Sequence, residues 1–338
     1  MKAIVIALGV LLPVSHLAFA SESRTADRTL SVTAEVDLDV ISNPGGVTIT
    51  TGSAASVHVH AVIRPMYGEA DLGLADANIR ALEQNPPIEQ QGNRIRVGYV
   101  GNRELLRGVS IHFDIETPRD TQIRAHTTSG GIRIDGIAGP VSADSSSGRI
   151  EISNVAADIV IRNSSGAVVV RSPGGRVSAR NNSGGIQVIG AHGPVDVETT
   201  SGRTEVSEVR GDVRSRTHSG GISIDNATGT VVANNHSGSI DVFQHTGPVQ
   251  AETKSGAIRI AQISPAAITA RTDSGPIKVD LAGGRGYMID AQSDSGKVSG
   301  PATSGAERIA KLHRLKGQIG EGGPLVDLDT RSSRISVN

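Results

Sequence analysis

The residues of this chain that could perform nucleophilic chemistry are serines followed by glycine. Ser-Gly recurs at positions 129, 147, 165, 183, 201, 219, 237 and 255, each eighteen residues after the last, with looser copies at Ser274 and Ser295. A catalytic serine needs a base within hydrogen-bond reach and donors for an oxyanion. Only Ser219 and Ser237 have a histidine as their sequence neighbour. Because the serines share one setting, we interpret them as turn residues and predict no catalytic residue.

Histidines are the next candidates for chemistry. His218 and His236 are eighteen residues apart, so stacked repeats would bring their backbones about 4.8 Å apart and could begin a zinc or copper site. Two ligands do not complete such a site, and Lys254 continues the same spacing with a cation. His58 and His60 flank Val59 on the outward face of a predicted strand. We interpret these histidines as solvated and predict neither a metal nor a cofactor.

The eighteen-residue period indicates which elements would position these side chains. After each Ser-Gly, β-branched residues alternate with polar ones, as in Ile132-x-Ile134, and the alternation resumes after a second turn, as in Val141-x-Ala143. Period two is typical of strands with one buried face. A two-strand unit cannot bury that face alone, so equal units must stack. The pattern predicts an all-β fold, a two-sheet β-solenoid of stacked 18-residue coils.

Two other folds also have coils of eighteen residues. Left-handed hexapeptide helices repeat an apolar residue every six positions, whereas the inward positions from Ile132 to Ala143 are separated by gaps of two and seven. Calcium β-rolls carry a recurring turn aspartate, and here only Asp273 and Asp294 directly precede Ser-Gly. Calcium needs several oxygen ligands. The hexapeptide helix therefore does not fit the spacing. The calcium β-roll fits the division into nine and nine residues but lacks its recurring aspartate.

The N-terminal part before Arg124 loses the period but keeps the alternation. A first coil is predicted from Val47-x-Ile49, a turn, and Val57-x-Val59. A helix is expected at about 71–84 because apolar residues there recur at helical spacing and two prolines follow. A hairpin around residues 91–93 and an alternating strand at 109–115 complete a capping insertion. This insertion would cover the strand edges at the open end of the stack.

The C-terminal part predicts one more coil. Residues 300–316 break the pattern with a polar loop and a basic run, and a terminal coil follows with Val326, Leu328, Ile335 and Val337 inward. The predicted organisation is a signal peptide at 1–20, a first coil with capping insertion at 21–120, a regular solenoid at 121–299, and a loop with the terminal coil at 300–338.

The N-terminus has the features of an export signal. Lys2 precedes an apolar run that ends near Pro13, and small residues at Ala18 and Ala20 predict cleavage between Ala20 and Ser21. The run is too short for a bilayer, which needs about 20 apolar residues. We therefore expect an exported protein in the periplasm, at the cell surface or outside the cell. With no cysteine, it would have no disulfides.

Charge and aromatic content argue against nucleic acid as a partner. Lys and Arg number 33 against 34 Asp and Glu, so the protein has no excess of positive charge that would attract nucleic acid. Aromatic residues are 2% of the chain, so few rings are available for bases to stack on. On the predicted outward face, arginines and acids share one column, which we interpret as a salt-bridged surface: Asp144, Arg162, Arg180, Glu198, Arg216 and Glu252. Phe243 is predicted to be exposed.

The chain resembles a known family over roughly residues 30 to 338. The resemblance is carried by "FDIETPRDTQIRAHTTSGGIRIDGIAGPV", by the Ser-Gly ladder and by the closing "GGPLVDLDTRSSRISV". These segments are similar to the bacterial "putative adhesin" family of β-strand repeats, also likened to toast-rack envelope domains, whose function is not assigned. The resemblance implies a β-solenoid at or outside the cell envelope. The family has no known catalytic motif, so it implies no site residue.

These observations predict a non-enzymatic, exported, monomeric β-solenoid. It would act as a cell-surface or envelope adhesin-like binding or scaffold module, with a protein or a surface glycan as its partner. One alternative is an envelope-stress sensing domain that works with a membrane partner. Another is a β-helix carbohydrate-active enzyme, which would need two carboxylates about 5–10 Å apart and usually aromatic sugar platforms. The scattered outward acids and the absence of tryptophan disfavour that enzyme.

Overall fold

A computed structural model describes residues 23–66, 72–284, 286–301 and 313–338 of the protein. The expected signal peptide and its cleavage site between Ala20 and Ser21 lie outside the described residues. All elements below belong to the described ranges.

The N-terminal part forms seven strands, one α-helix and one turn of 3-10 helix at Arg103–Leu106. In chain order the strands and the α-helix are β1 (Arg24–Ser31), β2 (Val36–Ser42), β3 (Val47–Thr51), β4 (Ser56–Pro65), α1 (Leu72–Gln84), β5 (Ile88–Gln91), β6 (Arg94–Val97) and β7 (Val109–Thr117).

The regular part contributes eighteen strands, two for each coil. They are β8 (Thr121–Ser129), β9 (Ile132–Asp135), β10 (Val141–Ser147), β11 (Ile150–Ser153), β12 (Ile159–Ser165), β13 (Val168–Arg171), β14 (Val177–Ser183), β15 (Ile186–Ile189), β16 (Val195–Ser201), β17 (Thr204–Val209), β18 (Val213–Ser219), β19 (Ile222–Ala227), β20 (Val231–Ser237), β21 (Ile240–His245), β22 (Val249–Ser255), β23 (Ile258–Gln262), β24 (Ile268–Ser274) and β25 (Ile277–Asp280).

The C-terminal part adds five strands. They are β26 (Gly286–Ser293), β27 (Val298–Ser299), β28 (Arg314–Gly320), β29 (Leu325–Thr330) and β30 (Ile335–Val337).

The strands form two facing sheets of fifteen strands each. Sheet 1 has the order β1-β4-β7-β3-β9-β11-β13-β15-β17-β19-β21-β23-β25-β30-β27, and sheet 2 has the order β28-β26-β29-β24-β22-β20-β18-β16-β14-β12-β10-β8-β2-β6-β5. In the regular part the strands are parallel, and paired residues are eighteen positions apart, so that Ile186 lies between Val168 and Thr204. At the last coil, made of β24 and β25, the separation from β22 and β23 is nineteen. This arrangement confirms the predicted all-β, two-sheet solenoid of 18-residue coils.

The core lies between the sheets and follows the predicted alternation. In one coil Ile132 and Ile134 of sheet 1 and Val141 and Ala143 of sheet 2 are all at most 2% exposed. The sheet 2 column that contains Ala143 consists mostly of small residues, with Ile161 and Val197 among the exceptions. Small residues there leave room for the larger side chains of sheet 1, which allows close packing without aromatic rings. Each apolar column continues from coil to coil, so the core is one continuous cluster along the stack.

The chain inserts a coil next to the outermost coil at each end of the stack. At the N-terminal end, the coil made of β2 and β3 pairs with β8 and β9 on one side and with β6 and β7 on the other. At the C-terminal end, the coil made of β29 and β30 lies between β24 and β25 on one side and β26 and β27 on the other. Stacking order and chain order therefore differ at both ends.

The predicted first coil is wrong in its second strand. Val57 and Val59 are buried as expected, but they belong to β4, which is antiparallel to β1 and β7 within sheet 1. The strand that completes the coil of β3 is β2, which the sequence analysis did not identify. Alternation identifies a strand with one buried face and contains no information about its neighbours. At ten residues, β4 matches the nine-residue β7 better than the short coil strands.

Other features of the two ends agree with the alternation. β5 and β6 form the expected hairpin, and Val109, Ile111, Phe113 and Ile115 of β7 are buried. In the terminal coil the four predicted inward residues are buried. The basic run that was expected in a loop is partly a strand, since β28 pairs antiparallel with β26; its residues 311 and 312 lie outside the described ranges.

Helix α1 covers the part of sheet 1 that extends beyond sheet 2. Its buried residues Ala75, Ile79 and Leu82 face the core, and the helix packs on β1 and β4. It therefore supplies the apolar surface that a second sheet supplies elsewhere. Within the described ranges, no helix combines the length and the apolar character that crossing a membrane requires.

Candidate functional site

The Ser-Gly serines lie at equivalent positions along one edge of the stack, where each sheet 2 strand ends. Their glycines allow consecutive coils to approach closely. Gly220 has a φ of +136°, and a Cβ there would lie 2.1 Å from the carbonyl oxygen of Gly202 in the preceding coil. A side chain at this position is therefore excluded by both conformation and space. The geometry gives the glycines a structural role at the turn, as the repetition predicted.

The residue two positions before each serine also supports the turn. Asn181 is 2% exposed and donates from Nδ2 to the carbonyl oxygen of Gly166 at 2.8 Å, and Asn235 makes the same bond to Gly220 at 2.7 Å. Buried backbone carbonyls need such partners. These short polar side chains thus satisfy the glycine carbonyls of the preceding coil.

The two candidate metal ligands stack as rings on adjacent coils. The ring centroids of His218 and His236 are 4.6 Å apart and the planes differ by 14°. Parallel register places Lys254 next in the same outward column, as predicted. In the part of the chain that the structure describes, no group of three or more His, Cys, Asp or Glu side chains is arranged to hold a metal ion.

His58 and His60 have a carboxylate partner that the sequence analysis missed. The Nδ1 atom of His60 lies 2.8 Å from Oδ1 of Asp27, and the Nε2 atom of His58 lies 3.5 Å from the same oxygen. Asp27 is on β1, directly opposite His60. The signal was absent from the sequence because residues 27 and 60 become neighbours only through antiparallel pairing that the period does not encode.

The outward face of sheet 2 carries the predicted column of opposite charges. Arg162 lies 3.6 Å from Asp144, and Arg180 lies 3.3 Å from Glu198. Arg216 instead pairs with Asp196 of the neighbouring column at 3.8 Å. These side chains are largely exposed, so each pair contributes little stability. Their effect is to make this face hydrophilic and internally neutralised over many coils.

This face contains a groove near its C-terminal end, with a volume of about 610 Å³. We call it the terminal groove; the side chains that line it are Asn234, Asn235, Glu252, Thr253, Lys254, Arg271, Thr272, Asp273, Asp294, Asp329 and Arg331. They lie on β20, β22, β24 and β29 of sheet 2, except for Asp294 and Arg331, which directly follow β26 and β29. The inserted β29 brings Asp329 and Arg331 beside Arg271 and Asp273, which are about sixty residues earlier in the chain.

Ion pairing in the terminal groove is incomplete. Arg271 lies 2.8 Å from Asp327 and 3.7 Å from Glu252, and Arg331 lies 3.5 Å from Asp273. Among the described residues, the exposed side chains of Lys254 and Asp294 have no ion-pair partner. Asp329 also has no cationic partner among the described residues and accepts a hydrogen bond from Nε2 of Gln292 at 3.2 Å. The groove therefore offers one unpaired cation, Lys254, and acids that no cation neutralises, within a largely neutralised face. Sequence reasoning noted that aspartates interrupt the column at 273 and 294, but not that they line a groove.

The chain matches the Toastrack DUF4097 family over residues 110–230 and again over 195–338. The two matches together cover more than half of the sequence. The chain belongs to this family.

Three solved structures are similar to this Toastrack chain at low identity. A "putative cell adhesion protein" from Clostridium sporogenes is 10% identical, over 94% of this chain and 99% of that one, with a TM-score of 0.23. A "putative adhesin" from Parabacteroides distasonis is 12% identical, over 77% and 98%, with a TM-score of 0.34. A "putative adhesin" from Bacteroides fragilis is 12% identical, over 93% and 97%, with a TM-score of 0.26. No curated protein matches the Toastrack chain.

Proposed function

We propose that this Toastrack protein is an exported, non-enzymatic β-solenoid that acts as an adhesin-like binding or scaffold module of the cell envelope. Export is supported by the N-terminal run that ends at Ala20, which has the pattern of a cleaved signal peptide. The binding surface is the outward face of sheet 2, and the partner is a protein or a surface glycan.

The main support for the proposal is the unpaired charge in the terminal groove. Most of the face has its charges paired along the column, so it offers little to a charged partner. In the groove, Lys254 on β22 and Asp294 directly after β26 are exposed and have no ion-pair partner among the described residues. A partner that carries both carboxylate and hydroxyl or amide groups can pair with both side chains at once. Long-range charge does not attract it, since the net charge is −1.

The experiment measures binding of purified protein that begins at Ser21 to isolated cell envelopes. Lys254→Glu reverses the unpaired cation of the groove and should weaken binding several-fold, with a reduced dependence on salt. The matched control is Arg210→Glu, which makes the same charge change at an exposed turn residue on the opposite edge of the coil. Equal binding by both variants, or no binding by the unaltered protein, would contradict the proposal.

A further inference from the structure

The C-terminal coil occupies a slot between two coils that the rest of the chain builds. We call residues 325–338 the terminal coil and the space it fills the slot. One wall is the coil of β24 and β25, and the other is the coil of β26 and β27. These walls are consecutive along the chain but are not hydrogen-bonded neighbours, because the terminal coil lies between them. In passing from β25 to β26, the chain therefore leaves one strand position open in each sheet, and β29 and β30 later fill these two positions.

The terminal coil pairs with both walls, over five and six residue pairs in sheet 2 and over three and two in sheet 1. Backbone hydrogen bonds run from Ile277 to Arg334 on one side and from Ile335 to Lys297 on the other, each at 3.0 Å between nitrogen and oxygen. Its apolar residues Val326, Leu328 and Ile335 are fully buried between the sheets. Without the coil, both walls would expose unpaired strand edges and apolar surface, which is a strong template for another strand.

Polar contacts fit the slot to this coil in particular. Asp327 meets Arg271 at 2.8 Å, and Arg331 meets Asp273 at 3.5 Å, so opposite charges face each other at both positions. On the other wall, Ser293 donates from its hydroxyl to the carbonyl oxygen of Ser333 at 2.9 Å. An apolar column accepts any coil of the repeat, whereas these contacts favour the sequence of the terminal coil.

A short connection carries the chain from β28 into the terminal coil. This connection consists of residues 321–324, which include Gly322 at a φ of +82°. The terminal coil would make the same contacts in the slot of a second chain as it makes in its own. The short connection favours the closed monomer at low protein concentration, since it holds the coil near its own slot.

We propose that the slot also accepts the terminal coil of a second copy of this chain, so that exchanged oligomers form when the slot opens or folds at high concentration. The partner is a second copy because the charges and hydroxyl contacts of the slot match the terminal coil. This inference does not depend on the proposed adhesin-like function, although Arg271, Asp273 and Arg331 of the slot also line the terminal groove.

The test uses the absence of cysteine from the natural sequence. Lys278 of β25 and Ser336 of β30 are register neighbours on the outer face of sheet 1, and neighbouring strands are about 4.8 Å apart, which suits a disulfide. Two full-length variants, Lys278→Cys and a size-tagged Ser336→Cys, are unfolded, mixed at high concentration, refolded and oxidised. We expect a shift from monomer to a disulfide-linked dimer that contains one chain of each kind.

The control mixture contains Glu205→Cys and size-tagged Ser223→Cys chains, which are neighbours in the same sheet but belong to internal coils. This mixture should yield no mixed dimer above background. A single chain with both Lys278→Cys and Ser336→Cys, refolded at low concentration, should form an internal disulfide and so show that the terminal coil refolds into its own slot. An equal yield of mixed dimer in both mixtures, or none in either, would overturn the proposal.

Discussion

The strongest test of the two-sheet core compares one substitution at two adjacent valines. Val231 is fully buried and lies between Val213 and Val249 of the neighbouring coils. Val232 faces outward, beside Arg214. Val231→Asp removes about 1.5–3 kcal/mol of apolar burial and adds several kcal/mol for a buried carboxylate without a partner. The sum approaches the whole stability of a typical domain, about 5–15 kcal/mol, so soluble folding should fail.

The same aspartate at position 232 meets the guanidinium of Arg214 on a solvated surface. An exposed pair of this kind changes the free energy of unfolding by about 0–1 kcal/mol, so Val232→Asp should remain soluble. Val231→Ala gives a milder measurement: a loss of about 2 kcal/mol should lower the thermal midpoint while the protein still folds. The assays are soluble yield, circular dichroism melts and limited proteolysis. Similar yields and melting temperatures for Val231→Asp and Val232→Asp would refute the assignment of a buried and an exposed face.

Three further predictions concern the turn, a buried histidine and the N-terminus. Gly220→Ala should destabilise the protein by more than about 1 kcal/mol because of its positive φ, whereas Gly221→Ala, whose added Cβ would have 3.7 Å to its nearest neighbour, should leave the melting temperature nearly unchanged. Burial lowers the pKa of His245 below its ordinary value, although backbone carbonyls partly oppose this effect. The unfolded chain then binds more protons than the folded one below about pH 6.5. Stability measured by thermal melts should therefore fall as pH drops through that range, and less so in His245→Ala, which must first be shown to fold at pH 8. Mass spectrometry of the exported protein should find Ser21 as its first residue, and retention of residues 1–20 would contradict the signal peptide.

The regular part of the fold could be predicted from the sequence because residues one period apart in the chain are direct neighbours in the stack. Each inward residue packs against the residue eighteen positions away, so Ile186 must follow Val168 in the column. Glycine marks the places where coils approach too closely for a side chain, and it recurs at the same interval. Over these coils, the distance of a residue along the stack increases in proportion to its number in the sequence. A repeating pattern in the sequence therefore predicts the contacts.

That proportionality fails for β4, and with it the prediction of the first coil. The alternation of Val57 and Val59 specified a half-buried strand, and this part was correct. Its direction and neighbours depended on β1, β7 and the helix, none of which repeats. The Asp27 partner of His60 was unpredictable for the same reason, since antiparallel pairing joins residues whose separation has no relation to the period.

The order of coils at the C-terminal end shows which interactions carry information that the repeat lacks. An apolar column is the same whichever coil is next, so Ile268 could pack on Ile289 or on Val326 with little difference in buried area. The structure places Val326 there. Asp290 holds the same column position as Asp327, so Arg271 would meet a carboxylate in either order. The contact that differs is that of Asp273, which meets Arg331, whereas the other order would bring Asp294 to this place. The irregular charges that interrupt the columns therefore select the stacking order that the apolar columns leave open. They also form part of the terminal groove, so any substitution there that alters binding should be checked for its effect on coil order.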